Sequence, residues 1–154
     1  MSKISEHITK KEATFSATAL RKGIANEPGE YELQNMELIA EKVFEPLRKA
    51  VNGPIKINSF FRSEELNKAI GGSSKSQHCQ GRAMDLDDTY GYMSNKEMYH
   101  YIKANLDFDQ MIWEFGTKDN PSWVHVSYVD ADSNRKRCLE AYKDENNKTK
   151  YKII

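Results

Sequence analysis

Residues 109–128 read D-Q-M-I-W-E-F-G-T-K-D-N-P-S-W-V-H-V-S-Y. Two runs rich in aromatic and β-branched residues, 109–115 and 122–128, flank a stretch of Gly, Asp, Asn and Pro, the pattern of two strands joined by a loop. Strand alternation puts Gln110, Ile112 and Glu114 on one face of the first run. It puts Trp123, His125 and Ser127 on one face of the second. With the loop centred between Asp119 and Asn120, antiparallel pairing sets Glu114 opposite His125, with Cβ atoms about 5 Å apart. A carboxylate then stands beside an imidazole on one side of a sheet.

Upstream, 55–62 (I-K-I-N-S-F-F-R) and 82–88 (R-A-M-D-L-D-D) read as further strands, separated by a short helix that begins at Ser63 and closes at Gly71-Gly72. Residues 71–77, G-G-S-S-K-S-Q, read as a loop. Ser94 and Glu97 form a capping box that launches a helix through Asn105. Nearer the start, Leu33, Met36, Ala40, Val43, Leu47 and Val51 recur at helical spacing over about five turns, with Pro46 expected to kink the helix. Thr9 and Glu12 cap a short helix running toward Ser16. The tail, 138–142 and 149–154, suits a hairpin turning at Asn146-Asn147. Helices lead and strands follow, so the expected class is α+β, with N-terminal helices packed on a mainly antiparallel sheet. The chain has 154 residues, and residues 1–154 are expected to form a single domain.

Lys and Arg number 23, as do Asp and Glu, so the formal charge is zero. That balance argues against a nucleic-acid binder or an anionic-membrane binder, both of which need a basic surplus. The 6 Phe, 8 Tyr and 2 Trp supply enough apolar area for one core. No window reaches the ~18 apolar residues of a membrane span. The opening residues are too charged for a secretory signal, so synthesis in the cytoplasm is expected. Two cysteines, Cys79 and Cys138, make no disulfide framework, and Cys79 is expected to be buried and inert. The run Arg135-Lys136-Arg137 is expected to be a solvated face.

Only four histidines occur: His7, His78, His100 and His125. His78 lies in S-Q-H-C-Q-G-R-A-M-D, seven residues before Asp85, and His125 lies in W-V-H-V-S. Imidazole and carboxylate suit divalent zinc, and three protein ligands with one open position are the arrangement of a catalytic site. Two histidines and a carboxylate also describe the non-haem iron triad; six residues between the first two ligands disfavour it. His7 and His100 are expected to be solvated or helix-face histidines and not ligands. A carboxylate beside the third ligand stands where a general base for water belongs.

The motifs S-x-H-x-x-G-x-A-x-D and W-V-H-V-S resemble those of the zinc D-alanyl-D-alanine carboxypeptidase / L-alanyl-D-glutamate endopeptidase family, the M15-type peptidases of the hedgehog/D,D-peptidase fold. The resemblance extends through F-F-R-S-E-E-L-N-K-A-I-G-G-S (60–73) and F-D-Q-M-I-W-E-F (108–115). The opening residues 5–19 are similar to compact phage and prophage lysins. The resemblance implies one zinc ion held by His78, Asp85 and His125. It implies that Arg62 binds substrate and developing oxyanion, and that Ser76 lies by the substrate near the metal. Glu114 corresponds best to the acid that activates water, with Asp119 a second choice. Several relatives carry a Glu three residues before the last histidine and others a His two before it; here those positions are Ser122 and Trp123. The implied function is hydrolysis of peptidoglycan stem peptides, as carboxypeptidase or endopeptidase, in a phage or prophage lysis enzyme that acts on the cell wall. A non-catalytic zinc-stabilised module that binds wall peptides or serves in a virion is the alternative. A monomer without nucleic-acid or membrane partners is expected.

Overall fold

The computed structural model describes residues 2–154. A small ribbon, β1 (Lys3–Ser5) with β2 (Ile8–Thr9), opens the chain and leads into α1 (Lys10–Thr14) and α2 (Ala17–Lys22). Thr9 caps α1 by accepting the Glu12 N–H, and Ser16 caps α2 by accepting that of Ala19. The long amphipathic stretch follows as α3 (Glu30–Ile39), a π turn over Ala40–Phe44, and α4 (Glu45–Val51). Pro46 has no N–H to donate, and its ring crowds the carbonyl four residues back. The helix absorbs this as the π turn, in which Glu45 N–H reaches back to Ala40 O, and continues to Val51.

The remaining elements are β3 (Lys56–Ser59), α5 (Glu64–Ala69), a 3-10 turn at Gln77–Gln80, β4 (Ala83–Asp87), α6 (Asn95–Asn105), β5 (Gln110–Glu114), β6 (Trp123–Ser127), β7 (Arg137–Lys143) and β8 (Thr149–Ile153). Strands β3 to β8 form one sheet in the order β3-β4-β6-β5-β7-β8. Every neighbouring pair is antiparallel except β5 and β7, which are parallel. The class is therefore mixed α and β with a mostly antiparallel sheet. Among the described residues no helix is long and apolar enough to cross a membrane.

Alternation gives the sheet two unlike faces. Met84, Leu86, Met111, Trp113, Val124 and Val126 point to one side and share a core with Met36, Ile39, Val43, Phe44 and Leu47 of the long helical stretch and with Met98 and Ile102 of α6. Burial of each such large apolar side chain stabilises the fold by roughly 1.5–3 kcal/mol. The opposite face carries a different set. In register across it, Asp85, His125, Ile112 and Leu139 form one row. Glu114 with Trp123, Ala141 and Tyr151 forms the next.

This register corrects one expectation. Glu114 pairs with Trp123, and His125 pairs with Ile112, so Glu114 lies diagonal to His125 and not opposite it. The cause is the loop. Thr117 N–H donates to Asn120 O, and the Thr117 hydroxyl accepts the N–H groups of Asp119 and Asn120, which centres the turn between Lys118 and Asp119. Phe115 and Gly116 are both left-handed, with φ of 55° and 73°. A Cβ on Gly116 would lie 2.3 Å from Asn120 O, so only glycine fits there.

Asn95 locks this loop to the sheet. Its amide donates to Asp87 Oδ1 and to the carbonyls of Pro121 and Ser122, and its oxygen accepts the Asp88 N–H. The side chain is buried, so truncation strands several polar groups. Asn95→Ala is expected to cost about 2–3 kcal/mol, seen in thermal unfolding as a fall in Tm of roughly 4–12 °C. An unchanged Tm would show that the loop is held by other contacts.

Candidate metal centre

The first potential ligand, His78, sits on the 3-10 turn. Ser76 Oγ accepts the His78 N–H at 3.2 Å and caps the turn, while Gln77 O accepts the Arg82 N–H at its far end. Gly81 closes it with φ of 73°, and a Cβ there would stand 2.5 Å from Glu32 O of α3. Glycine thus lets the turn press against the helix. His78 O accepts the Arg62 N–H at 3.2 Å, and His78 Nδ1 donates to Phe60 O at 2.8 Å. That second bond fixes the tautomer: the proton is on Nδ1 and the lone pair on Nε2.

His78 Nε2 is buried and has no hydrogen-bond partner among the described residues. It faces Asp85 Oδ2 at 3.4 Å, so two acceptors confront each other. Asp85 Oδ1 is 3.0 Å from His125 Nδ1. One ligand atom from each of His78, Asp85 and His125 lies within 4.8 Å of the other two. Four-coordinate zinc with bonds of about 2.1 Å has ligand–ligand edges of roughly 3.4 Å. The 3.4 Å between His78 Nε2 and Asp85 Oδ2 matches that edge, and a cation between these two atoms removes the clash of their lone pairs. The donor set and the orphaned imidazole nitrogen therefore suit one zinc ion.

Electrostatics favour the ligand states. Burial pushes the His78 imidazole below its ordinary pKa, against the pull of Asp85, so it stays neutral. Burial alone would raise Asp85, but the facing imidazoles of His78 and His125 outweigh it and hold the carboxyl well below the usual carboxylate range. The coupled pair settles as carboxylate and neutral imidazole, the forms that bind a metal. Glu114 behaves oppositely. Burial, with the Asp85 charge adding to it against the pull of His125, pushes its carboxyl up to about 7. Two carboxyls within one site thus hold unlike proton affinities, a pattern that separates ligand from acid–base group.

A groove of about 820 Å³ runs over this face and includes Arg62, Ser76, His78, Asp85, Glu114 and His125 in its lining. Arg62 Nη1 donates to Asn67 Oδ1 at 3.0 Å, while its buried Nε has no partner among the described residues. Asp119 lies on the exposed turn, outside the lining. Trp123 forms part of the wall, whereas Trp113 belongs to the core. His100 is exposed, and His7 is bonded through Nδ1 to Glu45 at 2.6 Å. Glu6, His7 and Glu45 come close enough to hold an ion, but the Glu45 carboxylate already takes the Ser5 hydroxyl, the His7 N–H and the His7 ring.

One expectation needs correction. Cys79 is only partly buried; its thiol is pushed up by burial, with the charges of Arg62 and Glu64 acting on it in opposite directions. The run Arg135-Lys136-Arg137 is exposed, as expected, and Arg135 has a further contact. Its Nε and Nη2 clamp the carboxylate of buried Asp109 at 3.0 and 2.7 Å, and Asp109 also accepts from Gln77, beside His78. The sequence reading also missed the far wall of the groove, built by Leu139, Lys143, Thr149 and Tyr151. Alternation along the tail marks these positions as one face, but nothing local says that the face meets the site.

The sequence model of the Peptidase M15 family matches residues 6–127, a stretch that contains the three potential ligands, Arg62, Ser76 and Glu114. No curated protein matches the chain. The match spans well over half of the sequence and coincides with the convergent histidine–aspartate–histidine set, and on that ground the chain belongs to the peptidase M15 family.

Proposed function

We propose that the protein is a zinc metallopeptidase that hydrolyses peptide bonds in peptidoglycan stem peptides. The observation that carries this reading is the orphaned Nε2 of His78 aimed at Asp85 beside His125, within reach of a carboxyl that titrates near neutrality. Membership in the M15 family supports peptidase chemistry. The choice of wall peptides, and of a lysis role, draws further support from the motif resemblance and from the likeness of residues 5–19 to compact phage lysins.

His78 Nε2, Asp85 and His125 Nδ1 are the atoms that would hold the ion. Zinc bound there supplies a Lewis acid that polarises a carbonyl and acidifies water. Glu114 takes a proton from attacking water on its carboxylate and returns it to the departing amine. Arg62, held by Asn67 and lining the groove, offers its guanidinium to the substrate oxygen that gains negative charge. Ser76 keeps the His78 turn in place and borders the bound peptide.

Peptidoglycan digested with zinc-loaded protein is to be examined by mass spectrometry. New amino termini beginning at D-Glu indicate an endopeptidase, and release of D-Ala indicates a carboxypeptidase. Intact stem peptides would overturn the reading. His78→Ala is expected to lose the single zinc equivalent, measured by elemental analysis, and to lose cleavage with it. Full zinc content in that variant would remove His78 from the ligand set.

Glu114→Gln is expected to keep zinc and to lower kcat at least 100-fold, the usual scale for loss of an acid–base group. Wild-type turnover in this variant would assign the proton transfers elsewhere. The same substitution tests the buried carboxyl in metal-free protein. A folded pKa raised to about 7 from 4.5 means that ionisation opposes folding. The penalty is absent below pH 4.5, grows through pH 7 and is full above it, on the order of 3 kcal/mol. Metal-free Glu114→Gln is therefore expected to gain stability over wild type as pH rises from 5 to 8, measured as the difference in denaturant midpoints. A difference independent of pH would contradict the burial argument.

A further inference from the structure

Arg62 stands in the short link between β3 and α5, where no helix or strand of its own fixes it. Its backbone is tied to the His78 turn, for its N–H donates to His78 O at 3.2 Å. Its long side chain is tied elsewhere. Among the described residues, Asn67 Oδ1 is the one acceptor that the guanidinium reaches, at 3.0 Å, and no carboxylate comes within 4.0 Å of it. A neutral amide thus holds the arginine and leaves its positive charge to the groove that it lines. A carboxylate in that place would bind the guanidinium more strongly and offset the charge.

Asn67 is itself buried, 4% exposed, in the last turn of α5. Both ends of its amide are engaged: Oδ1 accepts from Arg62, and Nδ2 donates to Ser73 O at 2.7 Å. Turning the amide over would set its NH2 group against the guanidinium and its oxygen against a carbonyl, so a single orientation satisfies both partners. The Asn67 backbone carbonyl also accepts the Gly72 N–H at 2.9 Å. One residue therefore grips the start of the 71–77 loop twice and Arg62 once. Gly72 makes room for this, since a Cβ there would lie 2.1 Å from Asn67 Oδ1 and 3.1 Å from Arg62 Nη1. The loop runs on to Ser76, whose hydroxyl caps the His78 turn.

We propose that Asn67 is a positioning residue for the hydrolysis: its buried amide aims the Arg62 guanidinium into the groove with its charge intact, and sets it against the loop that leads to His78. The proposal rests on the peptidase reading for what Arg62 acts on, whereas the grip on Arg62 stands apart from that reading. Asn67 is absent from the groove lining, so it acts through the arginine and not on the substrate. Without the amide the guanidinium is free to rotate, and the cation is misplaced when negative charge develops on the substrate oxygen.

The probe is the synthetic peptide L-Ala–γ-D-Glu–L-Lys–D-Ala–D-Ala. It is offered to zinc-loaded wild type, Asn67→Ala, Asn67→Asp and Gly72→Ala protein, each also in an Arg62→Ala background. Asn67→Ala is expected to keep its zinc and to lower kcat roughly ten- to hundredfold, with KM within about threefold of wild type. Once Arg62 is gone, the same substitution should cost nothing more. Gly72→Ala, which drives a methyl onto the amide oxygen without removing it, should behave alike, and it carries the test if Asn67→Ala fails to fold. Asn67→Asp keeps the grip but offsets the charge, so its kcat is also expected to fall. A second readout needs no turnover. The rate at which phenylglyoxal modifies Arg62, mapped by mass spectrometry, should rise several-fold in Asn67→Ala and Gly72→Ala but not in Asn67→Asp. Wild-type kcat in Asn67→Ala, an equal fall with and without Arg62, or an unchanged modification rate would each overturn the proposal. Absence of cleavage by the wild type sinks the peptidase reading alone, and the modification rates then decide whether Asn67 holds Arg62.

Discussion

Asp85 and His125 are neighbours because Met84, Leu86, Val124 and Val126 are buried. The side chains of a strand alternate, so burying one set of residues in β4 and β6 commits the intervening set to the other face. The antiparallel register then brings carboxylate and imidazole together without any bond of their own being needed. Much of the site follows from that constraint. Ile112 and Leu139 extend the same row, and Glu114 and Trp123 fill the next. Shifting β6 by one residue would bury His125 against the helices and turn two valines outward.

The exception is His78, which comes from outside the sheet and is held by a different kind of force. Its turn is set by backbone hydrogen bonds to Arg62 and Arg82, by the Ser76 cap and by contact with α3 at Gly81. Gln77, beside it, is tied to buried Asp109, which also clamps Arg135. Apolar packing thus fixes two corners of the triangle and polar bonding fixes the third. The outcome is a site where burial favours a neutral His78 imidazole and pushes the Glu114 carboxyl up to about 7, while the facing imidazoles keep Asp85 ionised against burial.

Much of this was legible in the sequence for physical reasons. Ser63 and Ser94 cap helices where their hydroxyls suggest, and the alternation of 109–115 and 122–128 marks the strands and the face that each side chain takes. The pairing of Glu114 was misread because the turn is centred by the Thr117 hydroxyl, a choice that loop length does not reveal. The β1–β2 ribbon is too short to leave a periodic signal. The Arg135–Asp109 clamp joins residues 26 apart, and the parallel pairing of β7 with β5 joins segments that are not successive strands. Neither carries a local signature, so the groove's far wall could be read as a hairpin but not located.

That parallel junction also bears on how the molecule assembles. β5 and β6 are joined by a short loop, so their pairing closes little chain, whereas β7 must cross back from the end of β6 before it can align with β5. β8 has only β7 as a neighbour, and all five of its residues are exposed. The last two strands are therefore the late-docking, low-protection unit of the sheet, and amide exchange in β8 should run ahead of that in β4 and β6. The rows that carry Asp85, His125 and Glu114 lie at the centre of the sheet, while the far wall of the groove can detach without dismantling them.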